Sequence, residues 1–148
     1  MSLNFYFFLL LSFFLKGQKN SVLYKRGDKK LESKISIKDS KKVIIFKVEG
    51  DFDNLLCIKY KNAITEILAR KKVELTVFDL SSVNFIDSSG IGLLIGRFKQ
   101  VNEYKGRMII CGVNKQIKKT LAISGIAIII DTYEDIYENI KESILLYE

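Results

Sequence analysis

The stretch Phe85-Ile86-Asp87-Ser88-Ser89-Gly90-Ile91-Gly92-Leu93-Leu94 decides how this chain folds. An apolar strand ends, an acid and two hydroxyls follow, and a glycine opens an amphipathic helix. The change from strand to helix puts both serines where a helix presents unpaired backbone N–H groups and the positive end of its dipole. That place suits a helix cap. It also suits a serine that carries a phosphate.

Working outward, Glu74–Leu80 is apolar on both faces through Leu75, Val77, Phe78 and Leu80, the mark of a central strand covered on both sides. On the other flank, Ile91, Leu94, Ile95 and Phe98 form one helical stripe. Gly92 and Gly96 lie four apart on that helix and cost helix propensity, so they predict the close approach of the sheet beneath or of a partner. Ser33–Asp39 alternates, with Ile35 and Ile37 on one face. Lys41 and Lys42 make a turn and Val43–Gly50 is a second apolar strand, so the pair reads as a hairpin. Asp53 can cap a helix running to about Lys71, with Leu56, Tyr60, Ala63, Ile64, Ile67 and Leu68 at helical spacing. Beyond Gly106, Met108–Val113 reads as a buried strand and Asn114 caps a short helix through Leu121. Ile126–Ile130 reads as a further strand. Asp131 or Thr132 then caps a last helix whose inner face is Ile136, Ile140 and Ile144. Strands alternating with helices after an opening hairpin predict a mixed, largely parallel sheet with right-handed crossovers, an α/β fold with about four helices packed on it.

The 148 residues suit one folded domain, placed at 31–148, preceded by an extension over 1–30. Residues 3–15 are almost continuously apolar or aromatic, too few for a spanning helix of about 20. A signal peptide would want a positive charge before the apolar run and a small-residue site after it. Here the lysines come afterwards, at Lys16 and Lys19. A membrane-surface anchor, a packing helix and a translated upstream stretch with no role all stay open for this segment. The net charge of +7 sits in residues 16–42, where ten Lys/Arg face three Asp/Glu. The body beyond residue 50 is balanced. No aromatic interleaving accompanies its basic residues, which argues against nucleic acid as a partner.

Chemistry is narrowed by what is missing. The chain has no histidine, which excludes a His-based triad or a His metal site. Neither a Gly-x-Ser-x-Gly elbow nor a phosphate-cradling Gly-x-x-x-x-Gly-Lys loop is present. A receiver-type acyl-phosphate site at Asp79 or Asp87 would need an acidic pair for Mg²⁺ after its first strand and a downstream strand-end lysine; Asp51 and Asp53 follow a hairpin strand instead. Cys57 and Cys111 fall in separate apolar segments and read as reduced core thiols of a cytoplasmic protein. No catalytic residue, metal site or cofactor is expected. On physical grounds alone Asp87 and the serines are read first as a helix cap, since such caps are common.

The motifs then alter that balance. Val77-Phe78-Asp79-Leu80, Val83-x-Phe85-Ile86-Asp87-Ser88-Ser89-Gly90-Ile91-Gly92 and Gly96-Arg97-Phe98-Lys99 resemble the anti-anti-sigma factors of the STAS domain family. Gly50-x-x-Asp53, Gly106-x-Met108-x-x-Cys111 and Ser124-Gly125-Ile126 agree over roughly residues 33–146. The resemblance implies a mixed sheet with helices on it. It also implies a non-enzymatic switch that binds an anti-sigma factor serine kinase, so releasing a sigma factor. The kinase phosphorylates the second serine of the motif, Ser89, and a serine phosphatase restores the complex. Asp87, Ser88 and Gly90 would shape the loop, Asp53 would stand in the neighbouring loop, and Gly92 and Leu93 would belong to the partner surface. The Asp51–Leu55 stretch is less polar than the family loop, and the extension is not part of the family pattern. The family also contains transporter-appended and lipid-transport accessory domains, so a membrane-associated subunit held through residues 1–30 is the alternative.

Overall fold

The computed structural model describes residues 32–136. Its sheet has five strands in the order β1-β2-β3-β4-β5: Lys34–Asp39, Val43–Phe52, Leu75–Ile86, Arg107–Cys111 and Asp131–Thr132. The first two form the expected antiparallel hairpin, with Ile35 opposite Val48 and Ile37 opposite Phe46. Every later pair is parallel, because each crossover is occupied by helix. Helix α1 spans Asn54–Lys71, α2 spans Ser88–Glu103, α3 spans Lys115–Ser124 and α4 spans Ile126–Ile129. The mixed sheet and helical crossovers are those expected from the sequence pattern.

The core follows the pleat. On one face Phe46 and Phe78, paired in register, stack with ring centroids 5.0 Å apart. Phe52, Ile64, Ile67, Leu68, Leu80 and Leu94 are also fully buried. On the other face Val43, Ile45, Leu75, Val77, Ile109 and Cys111 form one buried cluster. Helices α1 and α2 are tied to each other across the surface. Arg97 donates to the Thr65 hydroxyl and, at 3.4 Å, to the Lys61 carbonyl, and Gln100 Nε2 donates to the Thr65 carbonyl at 2.8 Å.

Several expectations are corrected. Strand β3 runs six residues past Leu80, because after a register shift at Leu80 and Ser81 the ladder with β2 resumes through Ser82–Glu49, Val83–Gly50, Phe85–Asp51 and Ile86–Phe52. The buried stripe of α2 is Gly90, Leu93, Leu94 and Val101; Ile91, Ile95 and Phe98 are only half-buried. The isoleucine run is not a strand. Gly125 takes a left-handed conformation (φ 78°) that ends α3, and Ile130 N–H then bonds the Ile126 carbonyl, closing one helical turn. Burial there recurs at Ile126 and Ile130, four apart, with Ala127, Ile128 and Ile129 outside. The β-branched composition favours a strand, but tertiary packing overrides it. Asp131 and Thr132, expected as a helix cap, instead make the short β5, in register with Ile109 and Ile110. Ile136 is exposed; Ile140 and Ile144 lie outside the described residues, as does the extension over 1–30.

Candidate functional site

Because β2 and β3 are parallel neighbours, α1 and α2 start at the same end of the sheet. Each start is capped by an aspartate in extended conformation. Asp53 Oδ1 accepts from Leu56 N–H at 3.0 Å. Asp87 Oδ1 accepts from Ser89 N–H at 2.8 Å and Gly90 N–H at 3.1 Å. Carboxylates at these positions also complement the positive helix ends. The Asp87 N–H in turn reaches the Phe52 carbonyl at 3.3 Å, which fastens the two loops together.

The cap on α2 is therefore made by Asp87, and neither serine hydroxyl takes part in it. Ser88 is exposed, and its hydroxyl has no hydrogen bond among the described residues. The Ser89 hydroxyl, half-buried, points across the gap and donates to Asn54 Oδ1 at 3.3 Å. Asn54 is the first residue of α1. The sequence pattern does not mark it, and its place directly after the Asp53 cap is the signal it carries.

Gly90 is fully buried where α2 meets β2. A Cβ built there would stand 2.6 Å from the Phe52 carbonyl oxygen and 2.8 Å from Ile86 Cγ1, so only glycine lets the helix start this close. Leu93, expected on the partner surface, is 5% exposed and packs inward. Gly92 does lie outside: a Cβ on it, or on Gly96, would meet nothing within 4 Å. The sheet beneath is thus not what these two glycines accommodate. They leave a bare strip on the outer side of α2.

Around the paired caps, large apolar side chains face solvent. Leu55 is 76% exposed and Ile58 69% exposed, on the first two turns of α1, and Phe85 is half-exposed just before Asp87. Asn54 and Ile58, four apart, share one face of α1. Beneath them the Cys57 thiol is pushed up to about 11, chiefly by burial and then by the Asp87 and Asp53 carboxylates, with Lys61 opposing. The two acids converge on one spot. The thiol stays protonated, which leaves it inert. Among the described residues no group of three or more His, Cys, Asp or Glu side chains is placed to hold a metal ion, and no helix is long and apolar enough to cross a membrane.

A sheet of this order, with a serine pair at the start of the helix after β3, defines a class. The family model for the STAS domain matches residues 34–143, and the chain belongs to this family. An anti-sigma F factor antagonist of Paenibacillus polymyxa is 30% identical over 101 residues, covering 68% of this chain and 86% of that protein. An anti-sigma-B factor antagonist of Listeria monocytogenes is 27% identical over 97 residues, covering 66% and 83%. Among solved structures, the anti-sigma factor antagonist SpoIIAA in its unphosphorylated form aligns with a TM-score of 0.61 at 19% identity, over 66% of this chain and 86% of that one. The STAS domain of a SulP transporter from Vibrio cholerae aligns with a TM-score of 0.61 at 16% identity, over 92% and 94%. At such identities the structural matches establish the fold alone.

Proposed function

We propose that this chain is an anti-sigma factor antagonist: a non-enzymatic, cytoplasmic binding module that captures an anti-sigma serine kinase and is switched off by phosphorylation of Ser89. The observation that carries this reading is the division of labour in the loop. Asp87 alone satisfies the helix start, so the Ser89 hydroxyl can change its chemistry without loss of the cap. The curated relatives named as anti-sigma antagonists support the role. SpoIIAA, which has this fold, is known in unphosphorylated and phosphorylated forms.

A phosphoserine brings roughly −1.5 to −2 charges at neutral pH. At Ser89 the fold tolerates it, because the positive end of α2 favours an anion by about 0.3–1 kcal/mol. A docked partner does not tolerate it. It would have to strip water from the new dianion beside the Asp87 and Asp53 carboxylates. Ser88, Gly92 and the apolar Leu55, Ile58 and Phe85 form the surface around that point, with Gly90 and Leu93 holding its shape from within. A serine phosphatase returns the neutral hydroxyl and with it the complex.

The test uses the anti-sigma kinases encoded in the source organism's genome, purified and mixed with the full chain, ATP and Mg²⁺. Phosphate should appear on Ser89 by mass spectrometry. Ser89→Ala should bind the kinase constitutively and Ser89→Asp should bind at least about tenfold more weakly, the equivalent of 1.4 kcal/mol. A folded chain that stays unmodified and binds none of them overturns the assignment.

A further inference from the structure

A second surface is built from residues outside the Ser89 site. The segment Lys115–Ile130 holds three lysines and no acid. Helix α3 buries only Ile117 and Leu121 and turns Lys115, Lys118 and Lys119 outward. Lys119 and Ile123, four apart, share its outer face. Across the Gly125 turn further isoleucines are exposed. Ile123 is 83% exposed, Ile128 is 88% exposed and Ile129 is half-exposed. Tyr133, also exposed, has its hydroxyl held at 3.3 Å by Arg107. The nearby acids are largely engaged: Asp131 pairs with Arg107 at 2.9 Å and Glu134 pairs with Lys118, which leaves exposed Asp135.

We propose that this isoleucine knob, with its lysine collar, is a contact surface for an anionic lipid bilayer. Isoleucine tips can enter the boundary between headgroups and acyl chains, while Lys115 and Lys119 remain at the anionic headgroups and Tyr133 suits the interface. A protein partner is the poorer fit, because lysine is depleted in protein interfaces relative to the rest of the surface. The N-terminal part of the sequence has the same composition: residues 3–15 are almost wholly apolar, and residues 16–42 carry ten Lys/Arg against three Asp/Glu.

The full chain is sedimented with vesicles of phosphatidylcholine alone and of phosphatidylcholine with phosphatidylglycerol. The extension is retained in every variant, so that only the knob is varied. Parent protein should pellet with the anionic vesicles and much less with the neutral ones. Ile123→Asn with Ile128→Asn should lower partition at least about tenfold, since each exposed isoleucine offers its side chain for burial. Ile123→Leu with Ile128→Leu should retain it. Lys115→Gln with Lys119→Gln, which leaves the packing untouched, should lower it severalfold and blunt its salt dependence. Circular dichroism checks that each variant is folded. A parent that pellets with neither vesicle, or an asparagine pair that binds like the parent, overturns the proposal. So does isoleucine-dependent self-association in gel filtration without lipid, which would make a second copy the occupant.

Discussion

The Ser89 hydroxyl donates to Asn54 Oδ1 at 3.3 Å, across 35 positions of sequence, and so links the first turns of α1 and α2. Both residues lie one or two positions inside a helix whose cap is an aspartate. The bond is polar and near the surface, so its net worth is about 0.5–1.5 kcal/mol or less. Its interest is electrostatic, because whatever Asn54 presents faces any group placed on Ser89.

Asn54→Asp sets a carboxylate against Ser89. We expect little change in the melting temperature of the unmodified protein, since aspartate is accepted in a first helical turn. Once Ser89 is phosphorylated, the like charges oppose each other, and the variant should melt several degrees below phosphorylated parent. Equal melting temperatures for the two phosphorylated proteins would dismiss Asn54 as the neighbour of the phosphate.

Asp87→Ala removes the acceptor for two helix N–H groups and should cost about 1–2 kcal/mol in urea unfolding. Asp87→Asn keeps an acceptor and should cost clearly less. A cost below about 0.3 kcal/mol for the alanine variant would mean that the cap is not made by this side chain in solution.

Two glycines of one helix should respond in opposite directions. Gly90→Ala drives a methyl into the Phe52 carbonyl and should destabilise by about 1–3 kcal/mol. Gly96→Ala enters open space and should stabilise by about 0.5–1 kcal/mol through the lower entropy of the unfolded chain and better helix propensity. Urea midpoints that shift in the same direction for both would contradict the packing described.

Cys57 gives a pH dependence. Its thiol moves from an ordinary 9.0 to about 11 in the folded chain, mainly through burial and then through the nearby Asp87 and Asp53. The folded protein therefore holds this proton more tightly than the unfolded one does. The associated stability is complete below pH 9 and is lost as pH rises from 9 to 11. In urea unfolding, the stability advantage of parent over Cys57→Ala should shrink across that window. An advantage equal at pH 8 and pH 11 would refute the shift. Lysine titration affects both proteins alike and drops out of the difference.

Much of this architecture is legible in the sequence because local and tertiary demands agree. Ile35 and Ile37 alternate as a half-buried strand must, and Asp53 and Asp87 stand where caps are needed. Where they disagree, pattern misleads. The apolar run ends at Leu80, yet β3 continues through exposed Ser81 and Ser82, and the ladder resumes at Ser82 opposite Glu49. Five residues from Ile126 look like a strand, yet the left-handed Gly125 redirects them into a helical turn. At the site, Asp87, Ser88 and Ser89 are legible from their position at a helix start. The Ser89–Asn54 bond and the burial of Leu93 are not, because both depend on how two helices of distant sequence are laid side by side.

The flanks of the sheet carry one more implication. One border, β5, offers only two residues, and the other, β1, flanks its apolar Ile35 and Ile37 with Lys34 and Lys38. Open borders of this kind are poor templates for adding a foreign strand. In the described fold, recruitment of other molecules is thereby steered away from backbone zippering and toward the loops and helix tips. There, in the function proposed for this chain, a change of charge on Ser89 would reverse it.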